Sequence, residues 1–265
     1  FSTKKWLTLK LNGGIFHQFS GQAFFPNGLG LNNEIWLAAG RKTQIPILQS
    51  GQLAGGFLFE KKGWTVDFEL FSKKTNEISG FGLQLNGEPM PIPALRGTEK
   101  AAGLEILLRK KWGRYTNWVG YTFSQSSNNF VLISSGTAFP TAYDQRHVLN
   151  WSQNFRLKNW DFSTITHLRS GLPFTPGLAV GPGGAVVYGA QNSARLDGYF
   201  RTDCSVTYTL DRQKFRAAFG ATVFNVFGRD NPQERRFFVG SDGLLKGSVQ
   251  NGLGRVGNVF VMLRF

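Results

Sequence analysis

Apolar and polar residues alternate along much of this chain, and helical periodicity is scarce. Near the start, Leu7, Leu9 and Leu11 alternate with Thr8 and Lys10. A period of two residues is typical of a β-strand with one apolar and one polar face. The alternation predicts ten strands, at about 4–17, 50–60, 64–73, 101–111, 115–126, 146–157, 160–170, 198–210, 214–227 and 257–265.

The links between the predicted strands alternate strictly between short and long. The four short links are Lys61-Lys62-Gly63, Trp112-Gly113-Arg114, Lys158-Asn159 and Asp211-Arg212-Gln213. The long ones are rich in Gly, Pro, Asn and Ser and cover 18–49, 74–100, 127–145, 171–197 and 228–256. A transmembrane barrel has this pattern, with short periplasmic turns and long outer loops. The sequence therefore predicts an all-β fold, a transmembrane antiparallel β-barrel.

Tryptophan positions support a barrel in a membrane. Four of the seven tryptophans fall at the short-turn ends of predicted strands, and they are Trp6, Trp64, Trp112 and Trp160. Tryptophan also favours strands in general, but its concentration at one level is typical of an aromatic girdle at the headgroups. These four residues are the predicted periplasmic girdle.

Strand parity assigns side chains to the two surfaces of the predicted wall. Polar candidates for the lumen are Glu105, Arg109, Asn150, Arg201 and Asp203, with Arg201 and Asp203 close enough in sequence to pair. Candidate ligand contacts in the long outer loops are Trp36, Phe130, Phe139, Tyr143, Phe174, Tyr188 and Phe237. Cys204 falls on the apolar side, where a buried, lipid-facing thiol is the expectation.

Composition excludes several other classes of protein. The 265 residues include 41% hydrophobic residues, 33 Gly and one Cys, which leaves no internal disulfide framework. No run of eighteen apolar residues predicts a transmembrane helix. The sequence opens at Phe1 without a visible signal peptide, so we expect a mature product or a piece of a longer chain. The net charge of +14 comes from scattered cations, so nucleic acid is not the expected partner.

Candidate chemistry is sparse. No His, Asp or Glu cluster has metal-ligand spacing, and Gly252-Leu253-Gly254-Arg255-Val256-Gly257 precedes a strand rather than the helix that a dinucleotide site requires. No cofactor is therefore expected. An enzyme remains the rival, because ten-stranded omptin-like hydrolases use Asp and His at the outer rim. Asp144 lies three residues before His147 and could orient it.

A series of short motifs resembles the C-terminal part of a TonB-dependent outer-membrane receptor of the type common in Bacteroidetes. In chain order the motifs are Asn33-Glu34-Ile35-Trp36, Gln44-Ile45-Pro46, Glu69-Leu70-Phe71-Ser72-Lys73-Lys74, Ala102-Gly103-Leu104-Glu105, Gly120-Tyr121-Thr122-Phe123-Ser124, Tyr143-Asp144-Gln145-Arg146-His147, Ser170-Gly171-Leu172-Pro173-Phe174-Thr175, Arg201-Thr202-Asp203 and Asn225-Val226-Phe227 with Asn231-Pro232. Their order and spacing cover most of the chain.

The resemblance implies a 22-stranded barrel with an N-terminal plug and a box that binds TonB. On this view residues 1–265 are the C-terminal part of the barrel, and the plug and the N-terminal strands are absent. A last strand with Val259, Val261 and Leu263 that ends in Phe265 resembles the signal read by the barrel-assembly machinery. Ten strands could also close alone, in which case the first and last strands would pair.

The function that the resemblance implies is active import of a scarce nutrient across the outer membrane of a Gram-negative bacterium. A siderophore, vitamin, oligosaccharide or peptide is the expected cargo. Expected partners are outer-membrane lipid and lipopolysaccharide, the remaining barrel half with its plug, TonB through that plug, and a surface lipoprotein lid. A structural barrel component of a multi-subunit envelope complex is the alternative.

Overall fold

The computed structural model describes residues 2–4, 6–26, 32–40, 45–79, 84–85, 88–89, 96–131 and 136–265. Gln44 of one matched motif lies outside the described residues. The strands are β1 (Ser2–Lys4), β2 (Leu7–Gln18), β3 (Ser20–Pro26), β4 (Asn32–Ala38), β5 (Leu48–Lys61), β6 (Trp64–Ser79), β7 (Gln84–Leu85), β8 (Glu88–Pro89), β9 (Arg96–Trp112), β10 (Tyr115–Phe130), β11 (Phe139–Pro140), β12 (His147–Leu157), β13 (Trp160–Arg169), β14 (Pro173–Phe174), β15 (Gly177–Val180), β16 (Val186–Tyr188), β17 (Ala194–Arg195), β18 (Tyr199–Arg212), β19 (Phe215–Phe224), β20 (Pro232–Val239), β21 (Leu245–Asn251) and β22 (Val256–Arg264).

One long antiparallel sheet dominates the structure. Its order is β1-β2-β5-β6-β9-β10-β12-β13-β18-β19-β22, and β11 adds to the far end of β10. Each of the ten predicted strands overlaps one long strand of this sheet, so the predicted all-β antiparallel architecture is confirmed. The long links fold back as small hairpins, β3–β4, β7–β8, β15–β16 and β20–β21, and β14 pairs with β17.

Several strand boundaries differ from the sequence prediction. The predicted strand 115–126 continues to Phe130, and the predicted strand 214–227 is wrong at its end, because the ladder stops at Phe224 and Asn225 has a φ of 50°. The predicted strand 4–17 is wrong at its start, because Lys4 pairs with Leu7 across a turn and β1 is a separate strand. The strands β6 and β9 pair as far as Ser79 and Arg96, well into the link predicted at 74–100. Their outer ends are polar, and the backbone ladder continues because its hydrogen bonds do not depend on side-chain polarity.

The short links are two-residue hairpin turns. Lys62-Gly63 joins β5 to β6, with φ angles of 49° and 75°. Positive φ at both central residues is the type I′ geometry that matches the twist of the paired strands. The other short turns lie at the same end of the sheet and are Gly113-Arg114, Lys158-Asn159 and Gln213-Lys214.

The strand register gives the sheet two chemically different faces. One register row carries Leu9, Phe57, Phe68, Ile106, Tyr121, Leu149, Leu168 and Phe200, and we call this side the apolar face. The neighbouring row, one residue on, carries Lys10, Gly56, Glu69, Glu105 and Thr122, and we call this side the polar face. Adjacent residues of a strand point to opposite sides, so the alternating sequence places apolar side chains on one face of the sheet and polar side chains on the other.

The apolar face is exposed rather than covered. Leu11, Val259 and Val261 are 82%, 81% and 64% exposed, whereas the buried apolar side chains of the described residues are Ile45, Phe130, Phe139 and Ala217. A water-soluble sandwich would bury these faces against each other. The sheet is therefore built to present its apolar side to a hydrophobic surrounding. In the ranges that the structure describes, no helix is long and apolar enough to cross a bilayer.

The sheet does not close on itself within the described part of the chain. The strand β22 pairs with β19, and β1 pairs with β2, but no ladder joins these two ends. Within the described residues, the outer edges of β1 and β22 have no partner strand.

At Gly56 the backbones of β5 and β6 lie too close together to leave room for a side chain. A Cβ atom at this position would lie 1.9 Å from the carbonyl oxygen of Phe68 and 2.8 Å from the Cα atom of Glu69. Gly51, in the same strand β5, has no atom within 4 Å of an added Cβ. Only the first position requires glycine.

Alanine substitutions at Gly56 and Gly51 test whether contact with the backbone of β6 requires glycine at the first position and not at the second. We expect Gly56→Ala to lower the free energy of unfolding by about 1–3 kcal/mol, because the backbone of β6 must move away. The matched variant Gly51→Ala should change it by less than about 0.5 kcal/mol. Urea unfolding in detergent micelles, followed by tryptophan fluorescence, measures both values. Equal effects of the two substitutions would contradict the close approach.

Candidate functional site

A group of charged residues lies in the middle of the polar face. Lys10 Nζ is 2.5 Å from Asp67 Oδ1 and 3.5 Å from Glu69 Oε2, and the three side chains are each about one-third exposed. Glu69 stands directly opposite Glu105 in the register. These four residues line an open hollow of about 270 Å³, whose far wall includes Asn150.

The charges of this group do not balance. Lys10 pairs with Asp67 and Glu69, whereas Glu105 has no ion pair within the described residues. Glu69 and Glu105 stand directly opposite each other, and directly opposed like charges destabilise a strand pair. Arg109 lies on the same face four residues along β9, toward the short turns, where it stands opposite Thr65 and Trp118. The hollow therefore carries more carboxylates than ammonium groups.

A second polar cluster lies toward the long-loop end of β13 and β18. Arg201 forms an ion pair of 3.0 Å with Asp203, and its guanidinium lies 4.1 Å from the ring centroid of Phe224. The predicted pairing of Arg201 with Asp203 is therefore present. Beside it, His167 Nδ1 is 2.6 Å from Asn150 Oδ1. The register places all five lumen candidates, including Glu105 and Arg109, on the polar face.

Asp203 also fixes the chain where β19 ends. Its Oδ1 accepts a hydrogen bond of 2.9 Å from the backbone N–H of Asn225, which is fully buried and has a φ of 50°. The Asn225 amide donates to the carbonyls of Arg229 and Leu253, at 2.9 Å and 3.2 Å. Asn231 Oδ1 accepts from the Phe200 N–H at 2.8 Å. Asn225 and Asn231 thus connect the 225–231 bend to β18 and to the segment before β22.

Sequence reasoning missed both asparagines as structural residues. The available signal was Asn in a link with Gly and Pro, because Asn tolerates positive φ and bonds to nearby backbone. Their partners lie in other segments of the chain, which local patterns do not identify.

Asp144 is the anchor of the outer loops. Its side chain is 1% exposed and accepts the Ser126 N–H at 2.8 Å, the Arg146 Nε–H at 3.3 Å and an Arg195 guanidinium N–H. Arg195 also donates to the Asp144 carbonyl at 2.6 Å and to the Gly171 carbonyl at 3.2 Å. One buried carboxylate therefore joins β10, the 141–146 bend and β17.

This arrangement corrects the alternative that paired Asp144 with His147 for catalysis. The Asp144 carboxylate is occupied by two arginines and a backbone N–H. His147 Nδ1 is 2.9 Å from the Tyr121 hydroxyl, and the register places both residues on the apolar face. The structure shows no hydrogen bond between Asp144 and His147, so the orienting contact proposed for the omptin-like reading is missing.

The aromatic candidates of the long loops fall into three groups. Phe130 and Phe139 stack on each other, at 3% and 7% exposure, and offer almost no surface to a ligand. Phe174 and Phe237 stack at 6.1 Å, and Arg235 lies within 6 Å of both ring centroids. The last group is exposed and consists of Trp36, Tyr143 and Tyr188, at 67%, 86% and 47%. Ligand contact stays a prediction for all seven.

The β20–β21 hairpin carries two local ion pairs, Glu234–Arg236 toward its open end and Asp242–Lys246 at its tip. The hydrogen bond from Arg236 lowers the pKa of the Glu234 carboxyl, and the same contact raises the pKa of Arg236. A hydrogen bond from Lys246, with a second from the Leu244 N–H, lowers the pKa of the Asp242 carboxyl. These acids stay ionised in mildly acidic surroundings.

Aromatic and basic side chains collect at the short-turn end of the apolar face. Trp64 and Trp112 meet edge to face at 6.0 Å, and Lys110 Nζ lies 4.6 Å and 5.5 Å from their ring centroids. Trp160 packs 4.9 Å from Tyr208. Trp6 occupies the β1–β2 turn. The four predicted girdle tryptophans therefore sit at one end of the sheet.

In the last strand, β22, the residues predicted to share one face do so. Val259, Val261 and Leu263 lie on the apolar face, opposite Ala221, Phe219 and Ala217. Phe265 follows the strand and is 97% exposed. Recognition of these residues by assembly machinery stays a prediction.

Metal chemistry has no support in the part of the chain that the structure describes. Within it, no three His, Cys, Asp or Glu side chains are grouped to hold an ion. Cys204 is partly exposed and unpaired with another cysteine, on the apolar face opposite Thr164 and Val223.

Solved structures of outer-membrane receptors superpose on this chain over most of its length. The ferric yersiniabactin uptake receptor FyuA from Yersinia pestis has a TM-score of 0.64 and 13% identity, covering 99% of this chain and 36% of its own. FpvA from P. aeruginosa, bound to a pyoverdine–iron complex, has a TM-score of 0.62 and 11% identity, and the match covers 99% of this chain and 31% of FpvA. The ferric citrate transporter FecA has a TM-score of 0.58 and 14% identity, and the match covers 82% of this chain and 31% of FecA.

The likeness shows the fold. The chain has the antiparallel wall architecture of an outer-membrane receptor barrel and spans about a third of the length of these solved structures. No protein-family model and no curated protein matches the chain in sequence.

The role of Asp144 is tested by opening the loop that it anchors. We expect Asp144→Ala to leave Arg195 without its buried carboxylate and to expose segment 171–197, because breaking a buried ion pair costs roughly 3–5 kcal/mol. Limited trypsin digestion of folded protein should then show cleavage after Arg195 at least about tenfold faster, since about 1.4 kcal/mol already gives that factor.

Asp211→Ala is the matched control, because Asp211 is 73% exposed and lies 3.9 Å from Arg216. It should leave the digestion pattern unchanged. Protection of Arg195 in the Asp144→Ala protein would show that other contacts hold the loop.

Proposed function

We propose that this chain is barrel wall and outer loops of a TonB-dependent receptor that imports a scarce nutrient across the outer membrane of a Gram-negative bacterium. The observation that carries the proposal is the sheet itself. Ten long strands with one exposed apolar face, joined alternately by two-residue turns and long loops, superpose on outer-membrane uptake receptors. On this proposal residues 1–265 are the C-terminal part of a 22-stranded barrel, and preceding sequence supplies the plug and the other strands.

The dimensions of the apolar face support the placement in a membrane. Along β9, Lys110 and Lys100 lie on the apolar face and bracket a run of apolar side chains. Ten residues separate them, which at about 3.4 Å per residue and a tilt of roughly 45° gives about 24 Å. Outer-membrane barrels carry an apolar band of about 25 Å. The short turns then face the periplasm, and the long loops face outside.

The carboxylate excess at the hollow of Lys10, Asp67, Glu69 and Glu105 supports a plug in the lumen. Glu69 and Glu105 lie opposite each other, and Lys10 is shared with Asp67. A basic side chain of a plug, inserted into this hollow, would compensate the remaining negative charge. TonB would act on that plug, so the wall itself needs no catalytic residue.

The long loops supply surfaces for ligand capture. Trp36, Tyr143 and Tyr188 are exposed, and Arg235 covers the Phe174–Phe237 stack. Aromatic rings and guanidinium groups suit large, planar or anionic ligands. The names of the similar receptors state ferric citrate, ferric yersiniabactin and ferripyoverdine, so a ferric chelate is the first cargo to test. Lipopolysaccharide around the wall and a surface lipoprotein lid are proposed partners.

Uptake by cells tests the proposal. A strain with the intact protein should accumulate at least one of a panel of labelled probes, namely ferric chelates, cobalamin, oligosaccharides and peptides, well above a deletion strain. A protonophore should abolish the difference, because TonB transmits energy from the inner-membrane proton gradient. The variant Tyr188→Ala should reduce accumulation, whereas Trp160→Ala at the other end should not.

Accumulation equal to that of the deletion strain with every probe would contradict the import function. Accumulation that persists with the protonophore would indicate a passive pore instead.

A further inference from the structure

Positive charge is concentrated at the short-turn end of the sheet. We define the short-turn rim as residues 60–65, 109–115, 156–161, 210–216 and 263–265. Its twelve cationic residues are Lys61, Lys62, Arg109, Lys110, Lys111, Arg114, Arg156, Lys158, Arg212, Lys214, Arg216 and Arg264. Its acidic residues are Glu60, Asp161 and Asp211. The rim therefore carries nine of the fourteen net positive charges of the chain.

Most of this charge has no internal partner. Arg156 pairs with Asp161 at 2.9 Å, and Arg216 lies 3.9 Å from Asp211. Among the residues that the structure describes, no other rim cation has a carboxylate within 4 Å. Every rim cation except Lys110 is exposed. Such a density of exposed like charge is unfavourable unless an anionic surface faces it.

Two rim lysines are held at the edge of the apolar face. Lys110 is 8% exposed, donates to the Lys62 carbonyl at 2.9 Å and lies between the indoles of Trp64 and Trp112. Lys61 Nζ lies 5.4 Å from the Trp6 ring centroid. Indole rings settle at the level of lipid headgroups. The ammonium of Lys110 is enclosed there by protein groups, whereas the exposed Lys61 beside Trp6 can place its ammonium among the phosphates. The charge thus begins where the apolar band ends.

We propose that the short-turn rim binds anionic phospholipid headgroups and selects them over zwitterionic ones in the leaflet that it faces. The proposal rests on the proposed function, which places the short turns at the periplasmic leaflet. Five rim cations lie on the polar face by register, and they are Arg109, Lys111, Arg156, Arg216 and Arg264. The other seven lie in the four short turns or on the apolar face, where they can meet headgroups. Because these seven are spread over all four turns, a lipid surface fits better than a discrete protein partner. Anionic membrane surfaces attract such basic segments over about one Debye length.

The test measures lipid retention by the intact protein that carries this chain. The protein is incorporated into nanodiscs of phosphatidylethanolamine with a minor fraction of phosphatidylglycerol, released, and analysed for bound lipid by native mass spectrometry. We expect phosphatidylglycerol to be enriched severalfold over its fraction in the bilayer. The enrichment should fall as ionic strength rises.

Charge-removing variants locate the effect. Lys62→Gln, Arg114→Gln, Lys158→Gln and Lys214→Gln remove the four exposed cations of the short turns, which make no ion pair within the described residues. Together they should bring the enrichment close to the bulk fraction. The matched control Lys73→Gln, Lys74→Gln, Lys100→Gln and Arg255→Gln removes the same charge from exposed residues outside the rim and should keep the enrichment. Lys62→Gln alone should give a partial loss, which keeps the test informative if the quadruple variant does not fold.

Each outcome decides the proposal. Equal retention of the two lipids, or full enrichment in the rim variant, would overturn it. Loss of the enrichment on adding inorganic phosphate at concentrations near that of the lipid would show a phosphate site rather than lipid selection, which also overturns it. Failure of the intact protein to enter a bilayer at all would count against the proposed function, whereas insertion without enrichment counts against this inference alone.

Discussion

The structure depends on one constraint, the need of every backbone N–H and C=O group for a partner where water is absent. The long antiparallel ladder satisfies this need between strands, so side chains are free to differ completely on the two faces. The apolar face can then stay uncovered, and the polar face can carry unbalanced charges such as Glu69 and Glu105. The exposed edges of β1 and β22 leave the same need unmet, which is why we propose that further strands complete the wall.

Most of the wall could be predicted from the sequence, because its two rules are local. Period-two alternation marks a strand with two unlike faces, and two-residue turns such as Lys62-Gly63 mark where the chain reverses. The predicted strand bounds were wrong where the polarity of the side chains does not follow the backbone pairing. The outer ends of β6 and β9 are polar but remain paired, and Trp6 falls within the predicted strand 4–17 although it lies in a turn.

The loop network could not be predicted in the same way. Asp144 pairs with Arg195, 51 residues away in the sequence, and the Asn225 side-chain amide donates to the Leu253 carbonyl, 28 residues away. No period in the sequence encodes such contacts, and a buried carboxylate or amide looks like any polar loop residue until its partners are known. For Phe130 and Phe139, aromatic character predicted ligand contact, but their burial against each other fits packing of the loops. The proposed function is therefore argued from the sheet and its two faces and not from any single loop residue.

The most direct test of this account asks which side chains of β9 touch lipid. Single cysteines at Leu104, Glu105, Ile106 and Leu107, introduced into the intact protein with Cys204→Ser and spin-labelled in liposomes, report contact with lipid-soluble or water-soluble relaxation agents. Labels at 104 and 106 should respond to oxygen in the lipid, and labels at 105 and 107 to an aqueous metal chelate, although Leu107 is itself apolar. A response of all four to the aqueous agent, or of none of them to either agent, would contradict a membrane-spanning wall.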